Sequence, residues 1–213
     1  MPALKQLKSA TELLGLPDPP KNGRERLVAT AIDLFYRNGF GAVGIDRVIA
    51  AAGVTKTTFY KHFEGKDDLM VAAVRRRDEW ESQAWGRAVR KLAGDDPAKS
   101  FLAMFDVMDV WFNDPEFHGC MFMNAATEFP NPHDPVHEAA SAYRRRSRDG
   151  WRDQALAAGA GPAAAETFAD CFAALVEGAG DATDAGAQRR GAGGAAGGGA
   201  VGGDVFVEAE RLS

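Results

Sequence analysis

Between Thr55 and Phe63 the chain carries Lys56, Thr57, Tyr60, Lys61 and His62 with no carboxylate among them. Side chains of these types donate to phosphate oxygens and to base edges in a nucleic-acid groove. Phe59 and Phe63, four residues apart, take the opposite, buried face of one helix, and Thr55 can cap its first turn by accepting a backbone hydrogen bond. Just upstream, Ile45, Val48, Ile49 and Ala52 fall at i, i+3, i+4 and i+7, one face of a preceding helix. Gly53 then supplies the left-handed residue that stops that helix and turns the chain. Two short helices joined through a glycine turn make a helix-turn-helix, whose second helix is shaped to enter the major groove of double-stranded DNA.

Lys56, Thr57 and Tyr60 are thereby expected at base edges or nearby phosphates, with Thr55 and Thr58 at the helix start. Lys61, His62 and Lys66 are expected on the backbone, and Arg47 reaches from the preceding helix. Lys66 stands at the start of the next helix beside Asp67 and Asp68. The two acids suit the helix dipole there, and Lys66 opposes it. A cation beside free N–H groups fits an external phosphate; the plainer alternative is a solvated surface lysine.

These residues need supporting helices. Residues 24–38 place Leu27, Ala31, Leu34 and Phe35 on one stripe, with Gly39 as the stop, and supply a third wall for the helix-turn-helix. From Lys66 to about Leu92 the helical pattern persists through Leu69, Ala73, Trp80, Ala84 and Val89. Four later starts share one device, a capping residue before a proline at the first helical position: Asp96-Pro97, Asp114-Pro115, Asp134-Pro135 and Gly161-Pro162. They predict helices at about 97–112, 115–129, 135–158 and 162–177. The first is apolar nearly all round and is expected to be buried. With no strand pattern in competition, the fold class is all-α: a three-helix DNA-binding end followed by an antiparallel helical bundle.

The run from Leu27 to Leu69 resembles the DNA-binding domain of the TetR family of repressors, through Ala31, Leu34, Phe35, Gly39, Phe40, Ile45, Ala50, Gly53, Val54, Thr55, Thr58, Phe59, Tyr60, His62, Phe63 and Lys66. Two departures stand out: Val43 and Gly44 where the family usually has Ser or Thr, and Gly65 where it usually has Ser or Asn. The segment GCMFMNA from Gly119 is similar to the ligand-binding half of one subgroup. The resemblance implies a transcriptional repressor released from its operator by a small-molecule effector in the bundle, and a homodimer built on its last helices. Trp111, Phe112, Phe117, Met121, Asn124, Tyr143, Trp151 and Phe172 are the candidate effector-binding residues, with Met123, Glu128 and Arg144 as further candidates; aromatic and Met side chains at helical spacing are equally what a plain core contains.

The expected organisation is a flexible N-terminal extension at 1–22, the DNA-binding domain at 23–68, the effector-binding and dimerisation domain at 69–177 and a Gly/Ala-rich flexible tail at 178–213. In residues 178–203, 11 of 26 are glycine, and glycine costs a helix about 1 kcal/mol per position relative to alanine. The apolar last helix implied by the resemblance is not seen there, whether by truncation or by a shifted reading frame. An alternative function follows: a regulator-like ligand-binding or interaction protein with impaired dimerisation.

Composition bounds the rest. Net charge is −5, yet residues 21–66 hold eight basic and four acidic side chains, which gives +4 there and leaves −9 for the remainder. That asymmetry is the footprint of a nucleic-acid-binding end on an acidic molecule. No apolar run is long enough to cross a bilayer, no signal peptide is visible and two cysteines give no disulfide framework, so a cytoplasmic protein without membrane contact is expected. No phosphate loop, nucleophile elbow or dinucleotide fingerprint appears; no catalytic residue, cofactor or metal is assigned. A thiol enzyme would rest on Cys120 with His118, and a metal site on His118, Cys120, His133, Asp134 and His137, interrupted by Pro132 and Pro135. The cluster Arg144, Arg145, Arg146 and Arg148 is read as a solvated helix face.

Overall fold

The computed structural model describes residues 10–191, with side chains to residue 179. Among the described residues every regular element is a helix: α1 Ala10–Leu14, α2 Gly23–Asn38, α3 Ile45–Ala51, α4 Lys56–His62, α5 Lys66–Ala93, α6 Pro97–Phe112, α7 Met121–Glu128, α8 Pro135–Ala157 and α9 Pro162–Gly191. Capping sets many of the boundaries. Asn22 accepts from Glu25 N at the start of α2, Asp96 from Ala98 N and Lys99 N at α6, and Asp134 from Val136 N at α8. Proline occupies the first turn of α6 and α8, where its missing N–H would have had no helical partner.

Two cores organise the bundle. The larger holds Leu27, Phe35, Phe40, Val48, Phe59, Phe63, Leu69 and Val74 from the first part of the chain together with Met121, Phe122, Ala125, Val136 and Ala140 from α7 and α8. The three-helix end therefore shares one apolar interior with the bundle rather than closing on itself. The smaller core joins Ala84, Ala88 and Val89 of α5 to Ala103 and Val107 of α6, and to Leu13 and Leu14 of α1.

Four expectations are corrected. The extension at 1–22 is not free throughout: α1 docks with Leu13 and Leu14 buried, its Ala10 N–H donates to Asp114 Oδ2 at 2.8 Å, and Arg87 donates to Leu14 O. The expected helix at 115–129 is shorter. Asp114-Pro115 opens a turn, in which the Asp114 carboxylate accepts from Glu116 N and from α1, and the helix begins only after Cys120. Third, α6 is not buried all round; Leu102 is 58% exposed. Finally, α9 continues past Glu177 to Gly191, into the segment expected as a flexible tail. Alanines spaced among its glycines (Ala179, Ala182, Ala185, Ala187) supply the strongest intrinsic helix propensity, and extension of a helix already nucleated is far less costly than starting one. The rest of the expected tail, 192–213, and residues 1–9 lie outside the described residues.

The docking of α1 carries a stability consequence. Leu14→Ala is expected to destabilise the protein by about 2 kcal/mol or more, the usual cost of emptying a packed leucine site. Urea unfolding checks it; a change below about 0.5 kcal/mol, typical of an exposed site, would show that α1 is not packed.

Candidate nucleic-acid interface and effector cavity

Thr55 Oγ1 accepts from Thr58 N at 3.1 Å and lies 3.0 Å from Thr58 Oγ1, so the two hydroxyls tie off the start of α4. Phe59 and Phe63 are buried, with ring centroids 5.7 Å apart. That anchoring turns Lys56, Thr57, Tyr60, Lys61 and His62 outward, all exposed, with Tyr60 at 61%. Thr58 is half-buried instead. Its Cγ2 faces Gly23, so close that a Cβ there would come within 3.1 Å; it packs α4 against α2 and is not part of the outward face.

The electrostatics of this face differ from the sequence reading in two ways. Asp46 of α3 reaches Lys56 Nζ at 2.9 Å, and this hydrogen bond and charge raise the pKa of Lys56. The run from Thr55 to Phe63 is carboxylate-free, but the surface around it is not. Lys66 is half-buried and donates to Gly41 O at 3.3 Å, leaving its other N–H groups for water or an anion. Arg47 is exposed and donates to Asn38 Oδ1 at 3.3 Å. Arg24, which sequence reasoning did not single out, stands over the Phe63 ring at 5.2 Å and adds a cation beside α4.

In the bundle a cavity of about 510 Å³ opens between α5, α6, α8 and α9. Of the candidate effector-binding residues, Trp111, Phe112, Tyr143 and Trp151 line it, as do Met123 and Arg144. Four do not. Met121 is core, 2% exposed, and Phe172 is buried among the rings of Phe101, Phe105, Trp151 and Phe168. Asn124 is spent on His118 O at 3.3 Å. Phe117, in the turn before α7, packs on Trp111 and Phe112 from outside the cavity. Ser82, Trp85, Gly86 and Arg90 of α5 line it unforeseen; their spacing of i, i+3, i+4 and i+8 marks one helix face and was the available signal.

Charges at the cavity are mostly paired. Glu81, buried, accepts from Arg77 Nε at 2.6 Å and Trp85 Nε1 at 3.2 Å. Arg144 clasps Glu177 through two N–H groups at 2.7 Å each, and Arg146 pairs with Asp78. Arg148 joins Glu166 and Asp170 of α9. The arginine cluster thus stitches α8 to α5 and α9, which a solvated face would not do. Burial pushes the Cys120 thiol up to about 11, with Glu81 adding to the shift, so it is protonated at neutral pH and is a poor nucleophile. Tyr143, stacked on Phe122 at 3.6 Å, is raised well above its ordinary value by the same burial and keeps its proton. His137 Nδ1 is within 2.7 Å of Phe129 O, and no group of three or more metal-ligating side chains occurs among the described residues.

Glu128 does not turn to the cavity. Its Oε1 accepts from Phe40 N at 2.9 Å and its Oε2 from Gly41 N at 2.7 Å, in the loop that leads into α3.

Comparisons with known proteins agree with this geometry. Residues 27–73 match the family described as bacterial regulatory proteins, tetR family. The solved structure of SCO4454, a TetR-family transcriptional regulator from Streptomyces coelicolor, is 32% identical and superposes with a TM-score of 0.57, over 76% of this chain and 96% of that one. The HTH-type transcriptional regulator LmrA of Bacillus subtilis is 24% identical over 159 residues, 74% of this chain and 84% of LmrA. The uncharacterised HTH-type regulator YerO of the same organism is 38% identical over 50 residues, a stretch that spans only 17% of YerO. With a helix-turn-helix of the expected geometry and a related structure aligned over nearly its full length, the chain belongs to the TetR family of DNA-binding transcriptional regulators.

Proposed function

We propose that this regulator is a repressor released from its operator by a small, largely apolar effector. The observation that carries the DNA-binding half is the outward face of α4, where Lys56, Thr57, Tyr60, Lys61 and His62 stand exposed over a buried Phe59–Phe63 anchor. Two copies would set their α4 helices in successive major grooves of a near-palindromic site, in the cytoplasm, where the chromosome is accessible. Arg47, Lys61, His62 and Lys66 hold phosphates; Lys56, Thr57 and Tyr60 approach base edges; Thr55 and Thr58 act through the helix start. Self-association is supported by Leu102, Leu156, Phe168 and Leu175, large apolar side chains exposed on α6, α8 and α9.

The effector half rests on the cavity. Trp85, Trp111, Trp151, Met104, Met108 and Met123 give it aromatic and adaptable apolar walls, and Tyr143, Ser147 and Gln154 give it neutral polar groups. Its lining spans α5, whose first residue is Lys66 at the DNA-binding end. An occupant that prefers one arrangement of α5 over another shifts the reading heads, and only such a differential affinity can do so.

A duplex enriched by the protein from a randomised pool supplies the probe. Tyr60→Ala is expected to weaken binding of that duplex by about tenfold or more, in the range for a lost base-edge contact, with an unchanged melting temperature because the side chain is exposed. Lys66→Ala is expected to weaken binding on all sequences alike and to flatten the slope of log affinity against log salt by about one; an unchanged slope refutes its phosphate role. Sedimentation at micromolar concentration is expected to show a dimer, and a strict monomer would favour the ligand-binding alternative. No shift of any duplex at low ionic strength would refute the whole reading.

A further inference from the structure

We infer that Glu128 is a positioning residue for DNA binding: its carboxylate, carried on the short helix that borders the cavity, holds the turn leading into the helix-turn-helix and lets go of it when the cavity is filled. The inference rests on the repressor reading above and names how its two ends communicate.

Glu128 is the last residue of α7, where the helix dipole disfavours an anion. Among the described residues no cation pairs with it. What compensates the charge is the pair of backbone N–H groups of Phe40 and Gly41, at 2.9 and 2.7 Å, each a charge-assisted hydrogen bond. The turn is cut to fit. Gly39 has φ +82°, and a Cβ on it would stand 3.0 Å from Glu128 Oε1; one on Gly41 would stand 3.3 Å from Oε2. A side chain at either position would crowd the carboxylate and make it shift by a few tenths of an ångström, and at Gly39 the positive φ would add backbone strain.

The other face of the same peptide leads toward the DNA. Gly41 O accepts from Lys66 Nζ, so one residue is held by Glu128 through its N–H and by Lys66 through its carbonyl. Phe129, next after Glu128, sets its ring edge-on to Phe40 at 5.9 Å. At the opposite end of α7, the capping residue Cys120 and first-turn Met123 line the cavity. A helix of 8 residues is about 12 Å long, short enough for the inferred latch to carry a shift at one end to the other. Displacing Met123 to admit an effector therefore draws Glu128 from Phe40 and Gly41, and with them loosens the seat of Lys66 and the entry to α3.

The test uses the full chain in three measurements. Amide exchange is followed at Phe40 and Gly41. Affinity is measured for the duplex enriched from the randomised pool. Met123→Trp fills the cavity without an effector. Glu128→Gln puts an amide NH₂ against one of the two N–H groups, and is expected to speed exchange at Phe40 and Gly41 tenfold or more, leave exchange in the middle of α2 unchanged, and lower DNA affinity at least fivefold. Met123→Trp alone is expected to lower DNA affinity, and to add little in the Glu128→Gln background, because both act on one latch. Circular dichroism identifies any variant that fails to fold; Met108→Trp then replaces Met123→Trp, and Glu128→Ala replaces Glu128→Gln. Unchanged exchange at the two amides, or independent and multiplying losses in the double variant, overturns the inference. If the wild-type chain enriches no duplex, the repressor reading fails instead, and the exchange rates still decide whether the carboxylate holds the turn.

Discussion

The interior shared by α2, α3 and α4 with α5, α7 and α8 is the constraint on which the rest of the molecule depends. The 16-residue α2 and the two seven-residue helices α3 and α4 do not bury Phe35, Phe40, Phe59 and Phe63 by themselves, because a helix of seven residues presents little apolar surface. Met121, Phe122 and Ala125 of α7 complete that interior. The reading helix is consequently held in place by the same side chains that form one wall of the bundle. Interiors pack at the density of organic crystals, so the position of α4 depends on how that wall is packed.

Charge is arranged in two different ways at the two ends. In the bundle, Arg77–Glu81, Arg146–Asp78, Arg144–Glu177 and Arg148 with Glu166 and Asp170 are matched. Matching is required where burial is deep, as at Glu81, since removing a charge from water without a partner is costly. On the outward face of α4 the polar side chains are exposed and lose little solvation, and among the described residues no ion pair joins Lys61 or His62 to a carboxylate. Lys56, paired to Asp46, is the exception on that face. An exposed ion pair is weak and readily exchanged, so Asp46 orients Lys56 and leaves its ammonium at the surface.

Local features were legible in the sequence. The helix-turn-helix could be read because its information is short-range: an apolar period at Ile45, Val48, Ile49 and Ala52, a left-handed glycine at Gly53 with φ +62°, and a capping threonine. The starts of α6, α8 and α9 were legible for the same reason. Asp114-Pro115 carried the same local signal, and Asp114 Oδ1 does accept from Glu116 N, yet only a turn follows and the helix waits until Met121. A cap bond alone does not make a helix, and the second carboxylate oxygen is taken by Ala10 N of α1, across 104 positions of sequence. Burial of Leu13 and Leu14, the inward turn of Thr58, Asp46 on Lys56 and Glu128 on Phe40 and Gly41 are all partnerships between distant or differently oriented residues, and a periodicity argument contains no information about them. Half of the eight candidate effector-binding residues do not line the cavity for a related reason: period identifies the buried face of a helix but does not say whether that face meets a wall or a void.

The cavity and the reading head are joined by two elements, and the geometry makes them interdependent. One is α5, 28 residues and about 40 Å long, with Ser82, Trp85 and Arg90 at the cavity and Lys66 at its far end. The other is α7, with Met123 at the cavity and Glu128 at its far end. Were they independent, a shift of either would be diluted by the stillness of the other. They meet at Gly41, which gives its N–H to one and its carbonyl to the other. Moving α5 alone stretches the Lys66 hydrogen bond, and moving α7 alone strips the carboxylate from two amides. The arrangement that keeps both sets of bonds is the one that seats Lys66 and the start of α3 together, and under the inferred latch both routes would act on that one state.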